Sequence, residues 1–382
     1  MRVLHIVSSL EEKYGGPSIL IPELSIQLSK FQIEVDILTT FLNGEKRAYE
    51  NKFSNKEVNL KIFKAFTTYR FSLKLFLWLI RNLSKYDCVH IHSLYRFPCD
   101  LSLILLFFKK VNVIFSPHGS LDPYLFNKSD HKFIGLIFKK IIHIFINHNL
   151  TKVTFHFTTN DEKKVCKLNH LVSKNFIIPP IGVDISKDDL IDKNFLKNLL
   201  KIDNQSFLIG YIGRLHPVKN LDSLIKGFLN SYYKINKNIK LVIIGPGEGE
   251  YKNYLRNLAN KNKNIFLLEQ IPHVLLNKYM GGLDLFALPS YSENFGITII
   301  EALTLKVPVM ITNKVNIFRE IQNYNCGKIV KTDPNSISEV LNDLIQNTQK
   351  FEEMRKNSTR LIQTKYTWSK IIPKYMKMYK SF

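Results

Sequence analysis

Short apolar runs that end in polar loops recur along this chain, spaced so that a helix fits between successive runs, and the pattern occurs twice. The first series is Arg2–Ser8, Val35–Thr39, Lys61–Ala65, Cys88–His92, Val111–Ser116, Thr154–Thr158 and Asn175–Ile178. Helical spacing lies between some of them, after Gly15-Gly16-Pro17 and over Phe71–Leu83. The first run is apolar almost throughout, as a strand covered on both faces of a parallel sheet must be. Pro17 suits a first helical turn, where its missing N–H costs nothing. Ile178-Pro179-Pro180-Ile181-Gly182 then breaks regular structure, and the Lys/Asp-rich stretch to about Ser206 reads as a linker. A second series follows: strands Phe207–Ile212, Lys240–Ile244, Ile265–Leu268, Leu285–Leu288 and Val309–Thr312, with helices Asn220–Phe228, Tyr251–Ala259, Gly296–Leu305 and one from about Ser336. The expected fold class is therefore α/β, with two Rossmann-like doubly wound domains facing across a cleft. The expected boundaries are 1–180 and 181–362, followed by a C-terminal helix over 363–382 that crosses back to the first domain. A length of 382 residues suits two cores better than one.

The second series carries the chemistry. Gly210-Tyr211-Ile212-Gly213-Arg214 is a strand end followed by a guanidinium, and Lys219 lies just before a helix. An arginine offers a planar fork to phosphate oxygens and a lysine adds a compact point charge. Further on, Ser290-Tyr291-Ser292-Glu293-Asn294-Phe295-Gly296 runs into a helix that carries Glu301. Gly296 lets the backbone approach a ligand, and the N-terminus of the helix points unpaired N–H groups at an anion. Two cations and two carboxylates in this order suit a nucleotide diphosphate sugar: the cations for the diphosphate, the acids for hydroxyls. No Asp-x-Asp pair is present to hold a divalent metal, so no metal and no cofactor is expected.

These residues resemble the family-4 retaining glycosyltransferases of GT-B fold. The resemblance rests on Gly213-Arg214 and Lys219, Gly245-Pro246-Gly247, Leu288-Pro289-Ser290 and Glu293 to Gly296, and Glu301-Ala302. In the first half it rests on Tyr14-Gly15-Gly16-Pro17, Val89-His90-Ile91-His92 and Ser116-Pro117-His118-Gly119-Ser120-Leu121-Asp122-Pro123. It implies that the first domain binds the acceptor and the second the donor. It further implies that Arg214, Lys219 and Gly16 bind the donor diphosphate, and that Glu301 binds the ribose. Glu293, Asn294, Phe295 and Gly296 would hold the donor sugar. His118 and Glu293 are the implied catalytic residues, with His118 aimed near the reacting carbon. His92 is left as either structural or acceptor-facing. The chain departs from the family pattern at Glu269-Gln270, where a glycine is usual, and at Ile181, where a polar residue is common.

The formal charge, 54 Lys and Arg against 32 Asp and Glu, gives +22, a field that draws phosphates of any kind. Phe71–Arg81 and His131–His148 are apolar, aromatic and basic, as segments lying on an anionic membrane surface are. With that charge, the expected partners are a nucleotide sugar donor, a saccharide or polyprenyl-linked acceptor, and peripheral contact with an anionic membrane. No apolar run reaches the ~18–20 residues of a membrane span, and four scattered cysteines suit a reducing compartment. A cytoplasmic location is expected. A nicotinamide dehydrogenase would need G-x-G-x-x-G after the first strand, which is lacking. A nucleic-acid-binding protein would explain the charge but not two glutamates in the most motif-rich loop, so no nucleic acid is expected.

Overall fold

A computed structural model describes residues 1–11, 16–42, 49, 58–122, 153–166, 174–184, 192–231, 238–247, 249–260, 262–347 and 349–382. These residues form two compact units, Met1–Gly182 with Trp368–Phe382, and Val183–Thr367. Tyr14, Gly15 and the basic aromatic segment His131–His148 lie outside the described residues.

The first unit holds a parallel sheet of β1 (Arg2–Ile6), β2 (Glu34–Phe41), β3 (Asn59–Lys64), β4 (Cys88–His92), β5 (Asn112–Ser116), β6 (Thr154–Phe157) and β7 (Asn175–Ile177). Their spatial order is β3-β2-β1-β4-β5-β6-β7. The second unit holds β8 (Phe207–Ile212), β9 (Ile239–Ile244), β10 (Ile265–Leu268), β11 (Leu285–Leu288), β12 (Val309–Thr312) and β13 (Gly327–Val330), in the order β10-β9-β8-β11-β12-β13. Every strand expected from the sequence is present. In each sheet the order reverses beside the first strand, between β1 and β4 and between β8 and β11. Ligands of doubly wound sheets bind at the carboxyl ends of strands at such a reversal. Arg214 follows β8 and Glu293 follows β11, so the second unit brings its charged motifs to its own reversal point.

Burial explains the continuous apolar runs. Leu208, Ile209, Tyr211, Leu241, Val242, Ile243, Ile244, Leu285, Phe286 and Ala287 are all but inaccessible, covered on both faces of the sheet. The cysteines Cys88, Cys99, Cys166 and Cys326 are buried free thiols. Two expectations need correction. The stretch read as a linker contains a helix, Phe195–Leu200, whose buried Leu196 pins it to the unit and whose left-handed Lys201 ends it. A strand was missed at Gly327–Val330, and it completes one edge of the second sheet beside β12. The helix begun at Gly16 runs to Ser29, with Pro17 in its first turn as expected.

Candidate active site

In the second unit, the site is built from two strand ends laced together by backbone and amide hydrogen bonds. Gly213 leaves β8 with φ 156°, and its N–H donates to the Ile244 carbonyl at 2.9 Å. Gly245, at the end of β9, faces it so closely that a Cβ would collide with the Gly213 carbonyl. Leu215 N–H donates to the Pro246 carbonyl at 2.7 Å, and the Tyr211 hydroxyl donates to the Arg214 carbonyl at 2.8 Å. This leaves the Arg214 side chain exposed on a pinned backbone. One 3-10 turn, Pro217–Lys219, follows, and Asn220 closes it in the left-handed region (φ 57°). The Asn220 amide is buried and donates to the carbonyls of Pro289 at 3.0 Å and Thr332 at 2.7 Å. Tyr291 N–H donates to the Val218 carbonyl at 2.9 Å. The loop after β8 is thereby fastened to the loop after β11.

The consequence is an ion pair between Lys219 Nζ and the Glu293 carboxylate, both largely buried. Glu293 is itself held through its backbone, accepting from Asn316 N–H and donating to the Lys314 carbonyl, each at 3.1 Å. Asn316 also donates its side-chain amide to Asn294 Oδ1 at 3.3 Å. Gly296 takes φ 75° ahead of the helix Ile297–Thr304, and a Cβ there would meet the Ile299 side chain. Phe295 is buried and stacks edge-on against Tyr366. Glu301 sits in the second turn of the helix, and its Oε1 lies 3.5 Å from His273 Nε2. The second unit thus joins Lys219 to Glu293 and sets Arg214 on the neighbouring strand end, while Glu301 is paired with a histidine that the sequence reading did not single out.

In the first unit, Gly16 is the first residue of its helix and is half-buried. His118 follows β5 in the left-handed region (φ 48°), partly exposed. The Gly119 N–H behind it donates to Glu162 Oε1 at 2.9 Å. His118 Nε2 lies 2.9 Å from His92 Nδ1, so His92 touches His118 directly. Burial and the nearby His156 push the His118 imidazole below its ordinary pKa. Behind these two, His5 on β1, His90 on β4 and His156 on β6 lie buried. The H-x-H of β4 was a usable signal: a period of two puts both rings on one face of a strand. His5, His90 and His92 bring ring nitrogens within 4.8 Å of one another, as a metal site would. Every one of those nitrogens has a hydrogen-bond partner within the same cluster.

Two family descriptions match the chain, Glycosyltransferase Family 4 over residues 14–186 and Glycosyl transferases group 1 over residues 192–361. The chain belongs to this glycosyltransferase family. It is similar to the capsular polysaccharide biosynthesis glycosyltransferase CapM of Staphylococcus aureus, at 29% identity over 209 residues, about half of each protein (53% and 53%). It is also similar to the UDP-Gal:alpha-D-GlcNAc-diphosphoundecaprenol alpha-1,3-galactosyltransferase of Escherichia coli, at 26% identity over 344 residues, covering 85% of this chain and 79% of that one. Among solved structures, that of Anabaena Alr3699/HepE in complex with UDP and glucose matches with a TM-score of 0.78 over 100% of both chains. At 15% identity this is a likeness of fold.

Proposed function

We propose that the chain is a retaining, metal-independent hexosyltransferase. It would move a hexose from a nucleotide diphosphate sugar to a lipid-linked saccharide, in the assembly of a cell-surface polysaccharide or lipopolysaccharide O-antigen. The observation that carries this reading is the Lys219–Glu293 pair beside Arg214 at the point where the second sheet reverses its strand order. As the glycosyl–phosphate bond breaks, negative charge grows on the leaving diphosphate. Cations fixed in advance stabilise that charge without reorganisation. Arg214 and Lys219 supply them, and the amides at the start of the helix Ile297–Thr304 add to them. Lys219 would exchange its contact with Glu293 for one with phosphate, freeing Glu293 to accept from a sugar hydroxyl. Glu301 would accept from the ribose hydroxyls, and His118 would act on the donor sugar. The acceptor hydroxyl attacks on the face that the diphosphate leaves, and the departing phosphate takes its proton. The lipid-linked acceptor draws support from the galactosyltransferase relative. The runner-up is a phospholipid or soluble sugar acceptor, since relatives also include the alpha-monoglucosyldiacylglycerol synthase of Acholeplasma laidlawii and a probable sucrose-phosphate synthase of Thermosipho melanesiensis.

The test is a panel of nucleotide sugars offered to the pure enzyme with a polyprenyl-diphosphate glycan, a diacylglycerol or a free sugar, with and without chelator. One donor should turn over fastest with the polyprenyl-linked glycan, with the anomeric configuration kept and chelator without effect. Inversion, or an activity lost to chelator and restored by magnesium, would overturn the mechanism.

The proposal includes peripheral attachment to the cytoplasmic face of an anionic membrane. No helix among the described residues is long and apolar enough to cross one. The helix Leu73–Asn82 buries Leu75 and Leu79 yet leaves Leu73, Leu77 and Ile80 exposed, with Phe71 exposed ahead of it. Phe108 is also exposed, and the neighbouring Lys109 ammonium donates to the Ile80 carbonyl at 3.0 Å, which sets it beside that face. Lys74 and Arg81 stand among the apolar side chains, the composition that lies in an anionic interface. Leu77→Glu with Ile80→Glu should cut co-sedimentation with phosphatidylglycerol vesicles by about tenfold or more. Unchanged sedimentation would remove the membrane from the proposal.

A further inference from the structure

One face of the first sheet carries a ladder of polar side chains where a core would ordinarily be apolar. Strand register sets it up: His5 pairs with His90, and His92 with Ser116. Ser116 in turn reaches across to His156 on the next strand. The helix Trp368–Tyr379 contributes Tyr379 to the same ladder. Its hydrogen bonds form one unbroken line. His156 Nε2 lies 3.0 Å from the Ile178 carbonyl, and His156 Nδ1 lies 2.6 Å from Ser116 Oγ. Ser116 Oγ is 2.6 Å from His90 Nε2, and His90 Nδ1 is 2.8 Å from the Tyr379 hydroxyl. That hydroxyl is 3.3 Å from His5 Nε2, His5 Nδ1 is 2.8 Å from His92 Nε2, and His92 Nδ1 is 2.9 Å from His118 Nε2.

A carbonyl can only accept, so His156 must carry its proton on Nε2. Its Nδ1 is then an acceptor, and the Ser116 hydroxyl donates to it. Ser116 must accept from His90 Nε2–H, which makes His90 Nδ1 the acceptor of the Tyr379 proton. The Tyr379 oxygen accepts from His5 Nε2–H. His5 Nδ1 accepts from His92 Nε2–H, and His92 Nδ1 accepts from His118 Nε2–H. With each ring neutral, one fixed end determines every proton in the line. Running the line backwards would set a bare nitrogen against the Ile178 carbonyl. Burial supports neutrality, since it depresses all four inner histidines, His5 to about 3 and His156 to about 4.

We propose that this line, anchored on the Ile178 carbonyl, holds His118 as its Nε2–H tautomer and so offers Nδ1 as a hydrogen-bond acceptor to a hydroxyl of the donor sugar. Among the described residues no hydrogen-bond partner meets His118 Nδ1. The sugar-facing half of the proposal rests on the proposed function. His92, His5, Tyr379, His90, Ser116 and His156 are then positioning residues, acting through His118.

Tyr379→Phe keeps the ring and removes the one hydroxyl that joins the two halves of the line. His5 Nε2–H would then be a buried donor facing a phenyl edge, and a stranded donor costs more than a bare nitrogen. The segment His5–His92–His118 relieves this by reversing, which leaves His118 protonated on Nδ1. The experiment is long-range proton–nitrogen spectroscopy on the full chain labelled at histidine nitrogen, with His118 assigned through His118→Gln. In the wild type all five rings should show protonated Nε2 and bare Nδ1. In Tyr379→Phe, His118 should switch to protonated Nδ1, and kcat/KM for the donor should fall by about tenfold. Protonated Nδ1 at His118 in the wild type, or no switch in the variant, would overturn the proposal. So would stoichiometric shifts of His5, His90 and His92 on adding zinc, which would make the cluster a metal site. The tautomers are read without substrate, so a failure of the nucleotide-sugar panel would count against the reaction and not against the line.

Discussion

Arg214→Ala and Lys219→Ala should each lower kcat at saturating donor by about 100- to 1000-fold, the scale of losing one preorganised charge-stabilising group. The two substitutions differ in what else they disturb, and that difference makes the test informative. Arg214 is exposed and its backbone is held by the Tyr211 hydroxyl and by its neighbours' hydrogen bonds, so removing the guanidinium should leave the melting temperature unchanged. Lys219 is the partner of a largely buried carboxylate, and its removal strands the charge of Glu293. Lys219→Ala should therefore lower both kcat and thermal stability, and Lys219→Ala with Glu293→Gln should recover the stability but not the turnover. Near-normal kcat in Arg214→Ala would refute its role, because no folding defect could be blamed. Full recovery of kcat in the double variant would show that Lys219 serves only to neutralise Glu293 and that the Glu293 carboxylate is not needed for turnover.

Acidification should destabilise the first unit as pH falls below about 6, opposed in part by buried Asp100, whose carboxyl is raised to about 6 and so takes up a proton more readily in the folded chain. His5, His90, His92 and His156 are inaccessible, and burial depresses each well below the ordinary value of 6.5. The ladder atoms facing them are one another's rings, the hydroxyls of Ser116, Tyr375 and Tyr379, and the Ile178 carbonyl. The nearby Glu162 carboxylate is already taken up by Gly119 N–H and by Thr158 N–H and hydroxyl. Above pH 6.5 these histidines are neutral in both folded and unfolded chain and cost nothing. Below it the unfolded chain takes up protons that the folded one refuses, so stability falls as pH falls, down to the folded-state values of about 3 for His5 and about 4 for His156. At pH 5.5 each histidine costs between about 1 and 2 kcal/mol and the four together about 5, a large part of the 5–15 kcal/mol that holds a typical domain. Circular dichroism and histidine proton resonances followed from pH 8 to pH 4 should show the loss, and removing one ladder histidine should shift the midpoint to lower pH. A first unit that stays folded at pH 4.5 would mean that these rings are charged or hydrated in the native state.

The strands were legible because a parallel sheet covered on both faces leaves little room for polar residues, and runs such as Leu241–Ile244 then announce themselves. The strand at Gly327–Val330 was not, because an edge strand tolerates a residue like Lys328 and its four residues carry too little pattern. The helix at Phe195–Leu200 hid in a polar stretch because one buried leucine is enough to anchor six residues. At the site, the charged residue types and their order could be read from sequence, but their pairing could not. Lys219 and Glu293 are 74 positions apart, and their contact depends on the Asn220 amide and the Tyr291 N–H lacing two loops together. His273 gave no signal in its own surroundings, since only the fold brings it to Glu301. The histidine ladder was half visible as Val89-His90-Ile91-His92. His5 and His156 stand alone in sequence; register sets His5 beside His90, and Ser116 on the intervening strand links His156 to it.

Calorimetric titration of UDP, GDP and ADP into the wild-type chain, Arg214→Ala and Glu301→Gln bears most directly on the claim that the second unit is a nucleotide diphosphate site. One of the three nucleotides should bind the wild type at a single site, and each substitution should weaken that binding by about tenfold to a hundredfold, the worth of one hydrogen bond to a charged group. Absence of binding by every nucleotide, or equal binding by wild type and both variants, would contradict it.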